Sequence, residues 1–343
     1  MRFALVILIS AVAFTPQSFA RARAVSHRGV PWQAPACSAT AGLPSYGFLK
    51  AGALVRSIES DPRGEPFTSG LSIGGAANTV YATRTDGSIL ESNDAGCTWS
   101  VRASLPELLG GKNPKVLARH SSRIYVYTDT HLIRLTHGTV QTFGFPEAMQ
   151  RVEVNPGSAL HLRAVSLLGT SYESRNGGVS WTRLYSFSTM RVAASEFAPT
   201  DFDRILAWSL LGGRLSISRD GGASWQLIGP PWVRVDSIAI SPVDPALVWV
   251  SGRDTTQASA LYRSTDGGLT FKPAAYYSQQ VTHSASGYLA PHPTDPNIVA
   301  VPLLTGMAIF DGVSLSYRDA GAATWEAEWS PAGVLYFVDL QFR

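Results

Sequence analysis

The chain is short of most residues that announce chemistry. Only two cysteines, Cys37 and Cys97, occur in 343 residues. The seven histidines are His27, His120, His131, His137, His161, His283 and His292, and none forms a metal-spaced cluster. There is no Gly-Lys-Ser/Thr phosphate loop and no Gly-x-Ser-x-Gly nucleophile elbow. Charged residues make up 15% of the chain, the net charge is +3, and nearly all the positive charge is arginine. No run of Lys and Arg exists, so no nucleic-acid partner is expected. Beyond the first twenty or so residues no apolar run is long enough to cross a bilayer. Helical periodicity is almost absent. These gaps point away from metal, cofactor and nucleotide chemistry, and no cofactor is expected.

What is present begins with a processing segment. Arg2 supplies a positive start, Phe3 to Phe14 a short apolar stretch, and Ser18-Phe19-Ala20 a small-x-small cleavage pattern. Residues 1–20 therefore read as a signal peptide, with an uncleaved anchor as the alternative. Residues 21–44 form a Pro-rich arm. The expected product is exported, periplasmic or extracellular, with no membrane span after cleavage, and a monomer. In an oxidising compartment an even cysteine count favours a Cys37–Cys97 disulfide, tethering the arm to the body of the protein. Two free thiols are the alternative.

The body carries an internal repeat. Its cleanest copies are Ser218-Arg219-Asp220-Gly221-Gly222-Ala223-Ser224-Trp225 and Ser264-Thr265-Asp266-Gly267-Gly268-Leu269-Thr270-Phe271. Looser copies run from Ser92 through Asp94 and Gly96 to Trp99, and from Ser174 through Asn176 and Gly178 to Trp181. A worn copy spans Thr136 to Phe143, and a further one with an extra residue runs from Ser316 through Asp319 to Trp325. The common pattern is Ser-x-Asp-x-Gly-x-Ser/Thr-aromatic, at a period of about 40–50 residues, the size of a four-stranded propeller blade. Asp and Ser bond backbone amides within a turn, Gly supplies positive φ, and the aromatic enters the next strand.

A second turn signal precedes each box: Asn155-Pro156-Gly157-Ser158, Ala198-Pro199-Thr200-Asp201, Ser241-Pro242-Val243-Asp244-Pro245 and His292-Pro293-Thr294-Asp295-Pro296. A β-rich run follows each. One repeat thus reads strand, Pro-Asp turn, strand, loop, strand, box turn, strand. The expected fold is all-β: a single β-propeller of four-stranded antiparallel blades over residues 45–343. Blade-like units are expected at 79–103, 116–144, 151–185, 192–228, 235–275 and 283–328. The tail Gly333 to Val338 is a further strand, and Ala53 to Ile58 could complete its blade and close the ring. Seven blades are expected, with six as the alternative.

These motifs resemble the Asp-box (BNR) repeats of β-propeller proteins, found in sialidases, sortilin ectodomains, xyloglucanase-type glycoside hydrolases and photosystem II assembly factors. The resemblance covers residues 45–343. It implies a propeller whose box turns lie away from the functional face, and it is poor for function because those families do unrelated work. Sialidase chemistry needs an arginine triad, usually opened by an early Arg-Ile-Pro. Arg56-Ser57-Ile58 and Arg204-Ile205-Leu206 are the nearest sequences, and neither matches.

The box acids Asp94, Asp220, Asp266 and Asp319 read as turn formers rather than catalytic carboxylates. Inter-blade loops of the opposite face supply a candidate binding patch of Trp232, Arg234, Arg253, Tyr276 and Tyr277, aromatics and arginines being common anchors. Filling of the gaps between blades is the alternative role for Trp232 and the tyrosine pair. The resulting expectation is a non-catalytic module that binds a protein or a glycan. A sialidase-like glycoside hydrolase is the alternative.

Overall fold

Strand after strand of this chain alternates apolar and polar side chains between turn residues, and each such run becomes one strand of a sheet. A computed structural model describes residues 45–46, 55–58, 67–84, 86–136, 138–186, 191–210, 213–256, 259–277, 288–303, 306–319 and 323–340. All belong to one compact unit, Pro31–Arg343. The leader and most of the arm lie outside the described residues. The fold is a β-propeller. Among the described residues there are seven four-stranded sheets.

Six sheets are each one continuous run of chain, the number of the alternative count. Their innermost strands are Phe67–Ile73, Lys115–His120, Met149–Val154, Val192–Ala198, Trp232–Ile240 and Ala290–Pro291. The remaining sheet joins the two ends of the chain. Ala323–Trp329 and Leu335–Leu340 pair antiparallel, and Val55–Ile58 adds to the latter in parallel, Val55 opposite Leu335 and Ile58 opposite Val338. Ser45–Tyr46 completes it. The early segment thus closes the ring, although this one pairing runs parallel where the repeat led us to expect antiparallel strands.

Two expected boundaries shift. The first blade starts at Phe67, well before residue 79; its inner strand, rich in Ser and Gly, gives a weak sequence signal. The unit expected at 283–328 is divided between two sheets. Asp319 ends the outer strand Leu315–Asp319 of the sixth blade, whereas Trp325 lies in the inner strand Ala323–Trp329 of the closing sheet. The Ser316–Trp325 copy is therefore a crossing between sheets and not a box turn. The hairpin turn of the sixth blade is Asp311-Gly312-Val313-Ser314, where Asp311 accepts from the amides of Val313 (3.0 Å) and Ser314 (2.8 Å).

The core is distributed. Each of seven apolar clusters sits at a junction between neighbouring sheets. Trp208 and Trp232 fill the junction of the fourth and fifth blades. Leu335 and Phe337 fill that of the sixth blade and the closing sheet. Because apolar burial is spread around the ring, every blade depends on both neighbours.

Candidate functional site

The box turns are built as local hydrogen-bond cages. Ser92 Oγ donates to Asp94 Oδ1 (2.7 Å) and accepts from the Gly96 amide (2.8 Å). Asp94 Oδ1 accepts from the amides of Cys97 (3.0 Å) and Thr98 (2.8 Å), and its Oδ2 from the Thr98 hydroxyl (2.6 Å). The same bonds recur at Ser218 and Asp220 and at Ser264 and Asp266. Asn176 replaces the acid in the third blade, and its Oδ1 accepts from Ser174 Oγ and from the Ser180 amide, 3.0 Å each. The cage needs left-handed backbone at its glycine: φ is 91° at Gly96, 88° at Gly178, 98° at Gly222 and 94° at Gly268. Trp99, Trp181, Trp225 and Phe271 each pack, partly buried, against a different junction cluster. Burial would raise the Asp266 carboxyl, but the donors of Thr270 and Ser264 hold it down at about 2. A cleft of about 220 Å³ beside the first box is lined by Glu91, Asn93, Asp94, Thr98, Trp99 and Ser100. The Asp94 oxygens in it are already engaged by the turn.

Arginines lock the cages to neighbouring blades. Arg134 Nη1 donates to the carbonyls of Asn176 (2.9 Å) and Gly177 (3.0 Å) in the next blade. Arg163 reaches the Phe202 carbonyl (2.7 Å) and Asp203 (2.6 Å). Arg204 donates to the carbonyls of Pro245 and Gly267. A guanidinium offers several donors in a fixed fork, which suits bridging two loop carbonyls at once. Part of the chain's preference for arginine over lysine thus has a structural cause.

All five residues of the proposed patch lie at one end of the fifth blade, the end away from its box turn. Arg234 pairs across the inner strands with Arg253, and Trp232 with Asp254. Tyr276 pairs with Ala260 at the outer edge. Two of the five are not surface residues, which corrects the patch. Trp232 is 4% exposed and meets Tyr262 and Phe271 edge-on, with centroids at 4.8 and 5.4 Å. Tyr277 is 8% exposed, its hydroxyl lies 2.7 Å from Ser251 Oγ, and burial pushes its pKa up. Both fill gaps between blades, because a ring of flat sheets leaves wedges that only large aromatics occupy. Arg234, held by Asp236, and Tyr276 remain exposed; Arg253 is half-buried with Nε 3.4 Å from Ser259 Oγ.

The structure also gathers charges that the sequence reading passed over. Lys115 and Arg119 come from the second blade's inner strand, Arg151 and Glu153 from the third, Glu196 from the fourth, and Glu326 and Glu328 from the closing sheet. They face the axis of the ring. Arg119 Nε is 2.8 Å from Glu153, Arg151 Nη2 is 3.0 Å from Glu196, and Lys115 Nζ is 3.6 Å from Glu326. Tyr288 leads into the sixth blade, and its ring lies 4.5 Å from Lys115 Nζ and 4.8 Å from the Arg151 guanidinium. Glu326 accepts from the Leu71 amide (3.1 Å) and Glu328 from the Ile73 amide (2.9 Å), each 255 residues away in sequence. Burial pushes the Glu328 carboxyl up to about 7 against the pull of that amide and of Arg119. It does the same to Glu196 against Arg151. The signal that could have found this cluster is the i, i+2 spacing of charges in the first strand of a repeat, as in Arg151-Val152-Glu153 and Glu326-Ala327-Glu328. Among the described residues no group of three or more His, Cys, Asp and Glu is placed to hold a metal, and no helix is long and apolar enough to cross a membrane.

Fold and faces together define a β-propeller with a salt-linked axis and one arginine- and tyrosine-bearing end. No protein-family model matches the chain, so its boxes resemble the Asp-box repeat at the level of the motif. By sequence it is similar to the dispase autolysis-inducing protein of Streptomyces mobaraensis, with 27% identity over 328 residues, covering 87% of this chain and 83% of that protein. By structure it is similar to YCF48 from Cyanidioschyzon merolae, with a TM-score of 0.60 and 15% identity over 80% of this chain and 92% of that one. YCF48 bound to D1 peptide gives a TM-score of 0.58 at 13% identity, over 77% and 86% of the two chains. The GH74 enzyme of Niastella koreensis gives 0.57 at 17% identity, over 71% of this chain but only 36% of that enzyme. At such identities the shared property is the fold.

Proposed function

We propose that this chain is an exported, non-catalytic propeller that binds another protein, and that the partner is a protease. The observation that carries the reading is how the acidic groups are used. The box acids are caged by their own turns, and Glu326 and Glu328 accept backbone amides of the first blade. The buried acids on the axis are engaged by strands and basic side chains of neighbouring sheets, which leaves loops and exposed side chains as the working surface. The protease class comes from the relative that spans most of the chain, whose name describes self-cleavage of dispase. That YCF48 has been captured with a D1 peptide supports peptide or protein binding as a use of this fold.

The test is to mix the purified mature protein with dispase and follow the protease band over time. Faster loss of intact dispase than in dispase alone, abolished by inhibiting the protease, is the expected result. An unchanged time course with no complex on gel filtration would remove the protease from the reading.

Export and the disulfide belong to the same proposal. Cys37 lies outside the described residues, and Cys97 sits in the first box turn, its amide bonded to Asp94. A bond between them would close a loop of about 60 residues, stabilising by at most ~4 kcal/mol on the chain-entropy account. Intact mass of the exported protein, taken without reductant, reads both features. The expected mass lacks residues 1–20 and two hydrogens. Retention of the leader, or a gain of two hydrogens, would overturn the corresponding half.

A further inference from the structure

We propose that the outer edge of the second blade, Thr139–Gly144, takes up an extended segment of the partner protein by strand addition. The segment is β-branched or apolar at alternate positions and free of lysine and arginine. The proposal rests on the protein-binding reading and says where and how the protein binds.

Each blade ends in an outer strand, and a propeller ordinarily keeps such edges short or protected. Five of the six single-run blades do so. The outer strands of the first, third and fifth carry Arg102, Arg183, and Lys272 with Pro273, and each has a break in register against its neighbour. That of the fourth, Gln226–Ile228, is three residues long. That of the sixth ends in Arg318 and Asp319. The second blade has none of these guards. Thr139-Val140-Gln141-Thr142-Phe143-Gly144 has no charge and no proline, and it pairs over its whole length with His131–Thr136 without a shift. Among the described residues no strand lies beyond it. The Phe145 amide continues this register, donating to the Thr130 carbonyl (2.9 Å). Bonded and non-bonded positions alternate in an antiparallel pair, so Thr139, Gln141 and Phe143 face the ladder. The amides and carbonyls of Val140, Thr142 and Gly144 point out from the blade.

The third blade's box turn adjoins this edge. Arg134, opposite Gln141, donates to the Gly177 carbonyl (3.0 Å), and its guanidinium lies 4.9 Å from the Phe143 ring. The Gly177 amide in turn donates to the Leu160 carbonyl (2.8 Å). Leu160 is 40% and Val179, in the same box turn, 55% exposed. Val140, on the opposite face of the strand from Phe143, is 45% exposed. Apolar surface therefore borders both faces of the edge. Arg134 pairs with no carboxylate among the described residues; its bonds go to the carbonyl oxygens of Gln141, Asn176 and Gly177. A cation left without a counter-charge disfavours a basic segment. Size argues against a second copy of the chain. Six paired residues span about 20 Å, and a strip of that length about 10 Å wide covers about 200 Å², against about 800 Å² per partner in a stable interface. An edge too small to hold two folded propellers together still offers an extended segment a row of main-chain bonds.

The experiment pans a phage-displayed random peptide library on the full mature protein, then measures the affinity of the recovered peptides and the hydrogen exchange of the edge. Peptides rich in Val, Ile and Thr and lacking Lys and Arg are expected, and they should slow exchange of the Val140 and Thr142 amides. Their affinity should fall at least about tenfold in Thr142→Pro, which removes an outward donor without touching the ladder. It should stay unchanged in the control Thr182→Lys, an exposed change in the third blade's outer strand. Val140→Lys/Thr142→Lys, exposed changes that guard the edge with charge, give the same direction should the proline variant melt early. Basic peptides, or affinity unchanged in both edge variants, would overturn the proposal. So would slow exchange of these two amides in the free protein: at every concentration it would mean that the chain covers its own edge, and on concentration alone that a second copy does. Dispase readouts separate the two readings. Acceleration that survives in Thr142→Pro keeps the protease partner and removes this edge. Peptide binding lost in Thr142→Pro, in a protein without any effect on dispase, keeps the edge and removes the protease.

Discussion

Deleting residues 333–343 will leave a protein that no longer folds cooperatively. The segment contains Leu335–Leu340, the second strand of the closing sheet. Leu335, Tyr336 and Phe337 are at most 1% exposed. Burying side chains of this size contributes about 1.5–3 kcal/mol each, so their loss removes roughly 5–9 kcal/mol. That is comparable with the whole net stability of an ordinary domain, about 5–15 kcal/mol. The deletion does more than remove area. Val55–Ile58 loses its strand partner toward the axis, and Ala323–Trp329 loses its antiparallel neighbour. The Tyr336 hydroxyl, which donates to the Ala95 carbonyl 241 residues away (3.0 Å), disappears from the first box. An opened ring exposes strand edges at both ends, and such edges template aggregation. Insoluble or non-cooperative material is the expected result on expression and chemical denaturation. A soluble truncation with a single sharp unfolding transition would show that the closing sheet is dispensable.

Sequence legibility followed the length scale of the interaction. The box turns were readable because the Ser and Asp bonds that form the cage join residues two to four apart, as between Ser218, Asp220 and Ser224. The turns that follow the inner strands, such as Ser241 to Pro245, were readable for the same reason. The Ser316–Trp325 copy matched that local pattern and still was not a box. Its position within the ring decides what it forms, and position depends on strand pairing far away. The Trp232 and Tyr277 positions failed similarly: an aromatic near a loop looks like a ligand anchor until the next blade is placed over it. The axial charges escaped notice for a related reason. Nothing within a single repeat tells Arg151-Val152-Glu153 or Glu326-Ala327-Glu328 apart from an ordinary strand with one polar face. Only closure of the ring turns those faces inward and sets Glu328 against an amide of the first blade.

Replacing Glu328 by Gln will raise stability at pH 8 and flatten its dependence on pH. In the folded protein burial pushes the Glu328 carboxyl from 4.5 to about 7. Between those values the native state keeps a proton that the unfolded chain gives up. Stability therefore falls as pH rises through this window, is highest below about 4.5, and carries the full penalty above 7. A shift of this size corresponds to about 3 kcal/mol. Glutamine cannot ionise, and its carbonyl oxygen can still accept from the Ile73 amide that Glu328 holds at 2.9 Å. The groups that act on this carboxyl are Arg119, which pulls its pKa down, and Glu326 and Glu153, which push it up. The Glu196 carboxyl, also near 7, will still titrate in the variant, so some slope remains. Urea unfolding from pH 4 to 9 is the measurement. The variant should match the parent near pH 4, exceed it by about 3 kcal/mol at pH 8, and lose about one proton's worth of slope between. A variant less stable than the parent at pH 8 would mean that Arg119 stabilises the ionised Glu328 by more than burial penalises it, so that its carboxyl is not pushed up. The axis would then be stitched by charge, and the ring would close best at neutral pH instead of in mild acid.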